Sequence, residues 1–179
     1  QVPIYHAHKN TGRPASPETF THMDDLPVRM PQTSWGFASF HLDAGYEPMY
    51  EFGYGLSYAK FAYSDIEVSE AEIAMGEKVT VKAAVQNVGD VEADEVAQLY
   101  VRDLVGNVTR PVRELKGFQR LRLAPGERRT VSFELGMDDL AFYGRDMTLI
   151  TEPGEFQVWI GGSSAAELGA AFTLTAGRD

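Results

Sequence analysis

Cysteine is absent from the 179 residues, which excludes disulfides, thiolate metal sites and cysteine nucleophiles. A core of this size needs no covalent staple, so that absence leaves the redox compartment open. No apolar run approaches the roughly 20 residues that a bilayer-spanning helix requires. Positive charge is scarce: 16 Lys and Arg against 26 Asp and Glu leave a formal charge of −10. That balance is a poor match for nucleic acid or an anionic membrane, which reward clustered cations. A starting methionine is missing as well. The chain opens Gln1-Val2-Pro3-Ile4-Tyr5, a strand-like start and not a signal peptide. Either something upstream was removed or this is part of a longer polypeptide. What is present suffices for a core, because 44% of residues are hydrophobic and 11% aromatic, well outside the range of disordered chains.

The two parts of the chain differ in chemistry. All four histidines (His6, His8, His22, His41) and six of the nine prolines fall in the first sixty residues. One short strand candidate there is followed by a long stretch with no period of 2 or 3.6. A structureless run of that length is unusual inside an independent domain, so residues 1–60 read as a tail and linker that need another surface. From Phe61 onward the pattern becomes regular. Val79, Val81, Ala83 and Val85 alternate with more polar positions and stop at Asn87-Val88-Gly89-Asp90, a half-buried strand and its turn. Further strands are expected over Val96 to Asp103, Phe118 to Leu123, Val131 to Leu135, around Phe156 to Ile160, and Ala171 to Thr175. Ala124-Pro125-Gly126-Glu127 and Glu152-Pro153-Gly154-Glu155 are turns, since proline presets one central angle and glycine supplies the positive one. About seven short strands without helical periodicity predict an all-β, fibronectin type III-like (immunoglobulin-like) β-sandwich preceded by an extended, mostly irregular segment. With no cysteine pair, fibronectin-like is preferred to antibody-like.

Motifs with chemical potential are few. Gly53-Tyr54-Gly55-Leu56-Ser57-Tyr58 half resembles a dinucleotide fingerprint, but Tyr58 takes the third glycine position. No helix follows to receive a pyrophosphate. Two glycines that let aromatic rings approach the backbone explain it better. His6-Ala7-His8 puts two imidazoles on one strand face, a spacing some metal sites use; without a clear third ligand they read as surface or interface residues. Neither metal nor cofactor is expected. His8, Lys9, Asn10 and Arg13 form a donor-rich loop punctuated by Gly12 and Pro14. Such a loop suits either hydroxyl binding in a polar cleft or bonding to its own backbone. Asp24-Asp25 and Asp138-Asp139 are sequence neighbours, whereas glycosidase carboxyls face each other across roughly 5–9.5 Å from different elements. Asp138-Asp139 suits the start of a helical turn. Eight cations between Arg102 and Arg129 and nine acids between Asp65 and Glu95 are expected to neutralise each other across the sheet. Asn107-Val108-Thr109 is a glycosylation sequon.

Three segments carry a resemblance: Tyr5–Pro14 (YHAHKNTGRP), Glu47–Tyr58 (EPMYEFGYGLSY) and Thr109–Glu127 (TRPVRELKGFQRLRLAPGE). In this order they resemble the C-terminal end of bacterial glycoside hydrolase family 3 enzymes, chiefly β-glucosidases. The resemblance implies that residues 1–60 are the end of an upstream α/β-sandwich domain and an aromatic-rich linker, and that 61–179 are the fibronectin type III-like domain. It implies that the nucleophile and the acid/base carboxylate lie upstream, so this chain carries no catalytic residue. His8, Lys9, Asn10 and Arg13 would approach the rim of the glucose pocket, and the barrel and α/β domains of the same enzyme would be the partners. The implied parent reaction is retaining exo-hydrolysis of β-D-glucosides, a periplasmic or secreted activity; a β-xylosidase or another exo-β-glycosidase is the alternative. A homodimer is compatible with all of this. A free-standing sandwich that binds glycans or protein partners, with Trp159 as the stacking ring for a sugar, is the competing reading.

Overall fold

The structure, a computed structural model, describes residues 17–18, 21–29 and 48–177. The expected strand near the N-terminus lies outside these residues. So does the loop of His8, Lys9, Asn10 and Arg13.

Ten strand segments follow in chain order: β1 Phe61–Val68, β2 Glu72–Ala74, β3 Val79–Asn87, β4 Ala93–Asp103, β5 Glu114–Leu123, β6 Arg128–Leu135, β7 Phe142–Tyr143, β8 Leu149–Ile150, β9 Gly154–Gly161 and β10 Gly169–Thr175, with a one-turn helix α1 at Met137–Leu140. They make a three-stranded sheet, β1-β3-β6, and a five-stranded sheet, β2-β10-β9-β4-β5, beside the small β7-β8 hairpin. All pairings are antiparallel except β2 with β10. Two sheets facing each other over one core make the expected sandwich.

The expected alternation is what builds that core. Val79, Val81, Ala83 and Val85 of β3 and Val131, Phe133 and Leu135 of β6 point inward from one sheet. From the other come Ala97, Leu99 and Val101 of β4, Phe156, Val158 and Ile160 of β9, and Phe172 and Leu174 of β10. Phe156 and Phe172, directly opposite in the β9–β10 register, stack with ring centroids 5.3 Å apart. Packing of this kind supplies most of the fold's stability, at about 25 cal/mol for each Å² of apolar surface removed from water.

Strand edges differ from the sequence expectation in a consistent way. Strands β4 and β6 begin three residues early, at Ala93 and Arg128, and β5 begins at Glu114, not Phe118. Most of the extra residues are charged or polar, and all are paired through their backbones, so hydrophobic alternation does not mark them. The three-residue β2 is too short to show any period. The anticipated charge pairing across the β4–β5 edge is present: Arg120 with Asp94, and Arg122 with Glu92 at 2.5 Å. The Pro125-Gly126 turn forms as expected, with Gly126 at φ 77°. At the start of α1 the Asp139 carboxylate accepts the Gly136 N–H at 2.8 Å, the back-reaching half of a capping box. Asn87, read as a turn residue, is fully buried. Its Nδ2 donates to Val91 O at 2.8 Å and Leu123 O at 2.9 Å, and its Oδ1 accepts from Gly89 N.

Candidate functional site

Strand β4 departs from simple alternation at its centre. Its burial runs without a break from Ala97 to Val101, so Gln98 and Tyr100, which leave the strand on the outer face, are covered too. The cover is the segment that precedes β1, together with the connection between β9 and β10.

Backbone carbonyls make the attachment. Gln98 Nε2 donates to Gly53 O at 3.1 Å and to Gly162 O at 2.6 Å. The Tyr100 hydroxyl donates to Gln98 Oε1 at 2.5 Å and lies 3.2 Å from Phe52 O, which also accepts the Ser164 N–H at 2.8 Å. Burial, against the opposing positive charge of Arg113, pushes the Tyr100 phenol up to about 12, so it stays a donor at any physiological pH. The Phe52 ring meets that of Tyr100 edge-on at 6.5 Å. Gly53 sits at φ 79°, and a Cβ there would fall 2.0 Å from Gln98 Oε1. Only glycine meets both demands at that position. The aromatic-glycine reading of residues 53–58 therefore holds for Gly53. It does not hold for Gly55, whose Cβ position has nothing within 4 Å.

Arg113 closes the other side. Its Nη1 donates to Ser164 O at 2.5 Å and Ala166 O at 2.7 Å, and its guanidinium lies 4.0 Å from the centre of the Trp159 ring. Burial first, and then the nearby charge of Arg102, lowers the Arg113 pKa. Trp159 also overlies Gly169, where a Cβ would come within 2.7 Å of the indole.

Beside this dock lies an open groove of about 790 Å³. Residues 53–57, 94–96, 98, 160–163 and 165–168 line it, with Tyr63. Of its three carboxylates, Asp94 and Glu95 are engaged, and Glu167 is exposed at the edge. The Tyr63 hydroxyl donates to Glu95 Oε1 at 2.6 Å, bridging the two sheets, and Asp94 pairs with Arg120. Burial, then the hydrogen bond and charge of Glu95, raise the Tyr63 pKa. Asp94 and Glu95 are consecutive on a strand and leave it on opposite faces, so they are not the facing pair of a glycosidase. Asp24 and Asp25 sit together in a single 3-10 turn, Met23–Asp25. Among the described residues no group of three or more His, Cys, Asp or Glu is arranged to hold a metal. No helix there is long and apolar enough to cross a membrane.

A second, smaller polar cavity of about 350 Å³ is formed by residues 102–111. Within it Arg110 pairs with Glu114 at 2.7 Å, lies 3.6 Å from Asp103 and stacks over Phe142 at 4.3 Å. The sequon residue Asn107 is engaged: its Nδ2 donates to Glu152 Oε1 at 2.7 Å.

Comparison with known proteins agrees with this architecture. Residues 95–164 match the fibronectin type III-like domain family. A periplasmic β-glucosidase of Salmonella typhimurium is 39% identical over 174 residues, covering 97% of this chain and 21% of that protein. The chain belongs with the family 3 glycoside hydrolases. A putative β-xylosidase of Formosa agariphila is 41% identical over 161 residues, 83% of this chain and 21% of that protein. Among solved structures, a variant β-glucosidase of Listeria innocua in complex with laminaribiose has a TM-score of 0.80 at 32% identity, covering 98% of this chain and 22% of that chain. This family 3 segment thus spans about a fifth of the length of the relatives it matches.

Proposed function

We propose that this chain is the non-catalytic C-terminal part of a family 3 glycoside hydrolase, a retaining exo-β-glucosidase by preference, and that it braces the catalytic domains. In this reading residues 1–60 are the end of the α/β-sandwich domain and the linker, and 61–179 are the fibronectin type III-like domain. One observation carries it. The segment before β1 is bolted to the sandwich through its backbone and the Phe52 ring, while its other large side chains turn away. Met49, Tyr50 and Tyr54 are exposed, Leu56 is 91% exposed and Tyr58 fully so. Five such side chains within ten residues form an apolar ridge of the kind that marks an interaction surface. The neighbour it calls for is the barrel and α/β domains that hold the two carboxylates, with His8, Lys9, Asn10 and Arg13 near the rim of the sugar pocket. Placement outside the cytoplasm belongs to the same proposal, supported by the periplasmic relative.

The glycan-binding alternative loses its main support, because one face of the Trp159 ring is occupied by Arg113 and the ring also lies against Gly169. A β-xylosidase parent remains the second reading, favoured by the Formosa agariphila relative. Truncation at about residue 60 in the longer enzyme is expected to lower its melting temperature by several degrees and to reduce turnover. Unchanged stability and turnover would overturn the bracing role. The 179-residue chain alone is expected to be inert on aryl β-glucosides, and turnover there would overturn the non-catalytic assignment.

A further inference from the structure

Between β9 and β10 the chain reads Gly162-Ser163-Ser164-Ala165-Ala166-Glu167-Leu168. Only Leu168 brings a large apolar side chain to the core, and none of these residues is buried. A run of small residues without side-chain anchors has many accessible backbone shapes, so hydrogen bonds select among them. Gln98 holds one end of the run at Gly162 O. The rest converges on Ser164. Its N–H donates to Phe52 O at 2.8 Å, in the segment before β1, and its carbonyl accepts from Arg113 Nη1 at 2.5 Å. Ala166 O takes the second Nη1 bond at 2.7 Å.

The guanidinium is itself held in place. It stacks on Trp159 at 4.0 Å from the ring centre, and a planar cation on an aromatic face keeps an orientation that an ammonium would not. The connection that carries Arg113 is fastened further back, where Glu152 accepts the Asn107 N–H at 3.1 Å and Asn107 Nδ2 at 2.7 Å.

We infer that Arg113 is a positioning residue for the segment before β1: stacked on Trp159, it shapes the β9–β10 connection so that Ser164 meets Phe52 O. The apolar ridge is thereby coupled to the connection between β4 and β5. Such a coupling is reciprocal. Loss of Arg113 loosens the segment, and displacement of the segment loosens Arg113 from its ring. This is a property of the 179-residue chain, so it goes beyond the bracing role and does not depend on it.

Two measurements on that chain test it. Arg113→Met keeps roughly the length of the stem and removes every donor. Amide exchange at Tyr54 N–H should then rise by about tenfold or more, the scale of one lost hydrogen bond, while the β3 amides change only as global unfolding does. Tyr54 N–H bonds within the segment, to Glu51 O, so it reports on the segment and not on the connection. In the reverse direction, the Trp159 indole N–H signal is followed by heteronuclear NMR and assigned with Trp159→Phe. Gly53→Ala should move that signal toward its position in Arg113→Met, and Gly55→Ala, with open space around it, should leave it in place. Tyr54 exchange that rises only in step with global unfolding would overturn the inference, as would an indole signal unmoved by Gly53→Ala. If Gly53→Ala does not fold, the Tyr54 measurement decides alone. If Arg113→Met does not fold, Arg113→Lys, which loses the flat stacking surface, is read by the same criterion. The bracing role is judged separately, by the truncation in the longer enzyme.

Discussion

Replacing Gln98 with leucine tests the dock at its centre. The side chain is 5% exposed and holds three groups at once: two carbonyls, Gly53 O and Gly162 O, and the Tyr100 hydroxyl. Leucine occupies similar space and offers nothing polar. Each lost hydrogen bond costs about 1 kcal/mol net, and more when a buried partner is stranded. The Tyr100 hydroxyl retains Phe52 O at 3.2 Å, so its contribution is small, and the total comes to about 2–3 kcal/mol. For a domain of this size that corresponds to roughly 5–10 °C in melting temperature. Calorimetry measures the global loss, and amide hydrogen exchange locates it. Ser164 N–H, bonded to Phe52 O, and Tyr54 N–H, bonded to Glu51 O, should exchange faster by tenfold or more, while the amides of β3 change only as the global stability does. Gln98→Glu adds a diagnostic. A carboxylate facing two carbonyls is at least as harmful at neutral pH, but once protonated it can donate one bond, so part of the loss should return below about pH 4–5. Stability within about 0.5 kcal/mol of the parent, with Ser164 protection unchanged, would refute the idea that Gln98 secures the segment.

Two further outcomes follow from the same geometry. Gly53→Ala combines left-handed backbone with a Cβ 2.0 Å from Gln98 Oε1, and should cost about 2–4 kcal/mol by denaturant unfolding. Gly55→Ala, with open space around it, should stay within about 0.5 kcal/mol. Burial raises the Asp103 carboxyl above its ordinary 3.8, chiefly by desolvation, partly offset by the Val105 N–H and Arg110. The folded state then holds that proton more tightly than the unfolded one, so its contribution is present below pH 3.8 and lost as pH rises through the folded value. Asp103→Asn should therefore lose less stability than the parent as pH rises from about 4 to 7, measured by urea unfolding across that range.

Inward-facing positions were legible because alternation reports burial on one face. Val79, Val81, Val85, Val131, Phe133 and Leu135 could all be placed in the core from their spacing. The dock was not legible, because Gln98 and Tyr100 carry the polar signature of an outer face and nothing local shows that another segment covers it. The clue lay forty-five residues earlier, in Gly53, where the aromatic-glycine pattern pointed to close backbone approach without naming the partner. Trp159 was undecidable for a similar reason: its cover, Arg113, comes from a loop that no periodicity ties to β9. Asn87 was taken for an ordinary turn residue because a buried asparagine and an exposed one look alike in sequence. The resemblance to family 3 enzymes did what patterning could not, since it rested on three separated segments and not on one strand.

Gln98 and Ser164 read the main chain of the segment before β1, at Gly53 O and Phe52 O, and ignore its side chains. The exposed side chains of Met49, Tyr50, Leu56 and Tyr58 can therefore vary without loosening the joint, provided the backbone keeps its path and position 53 stays glycine. Such an adaptor leaves the outward surface free to be re-cut to fit a different neighbour while the hinge-pin beneath it is untouched.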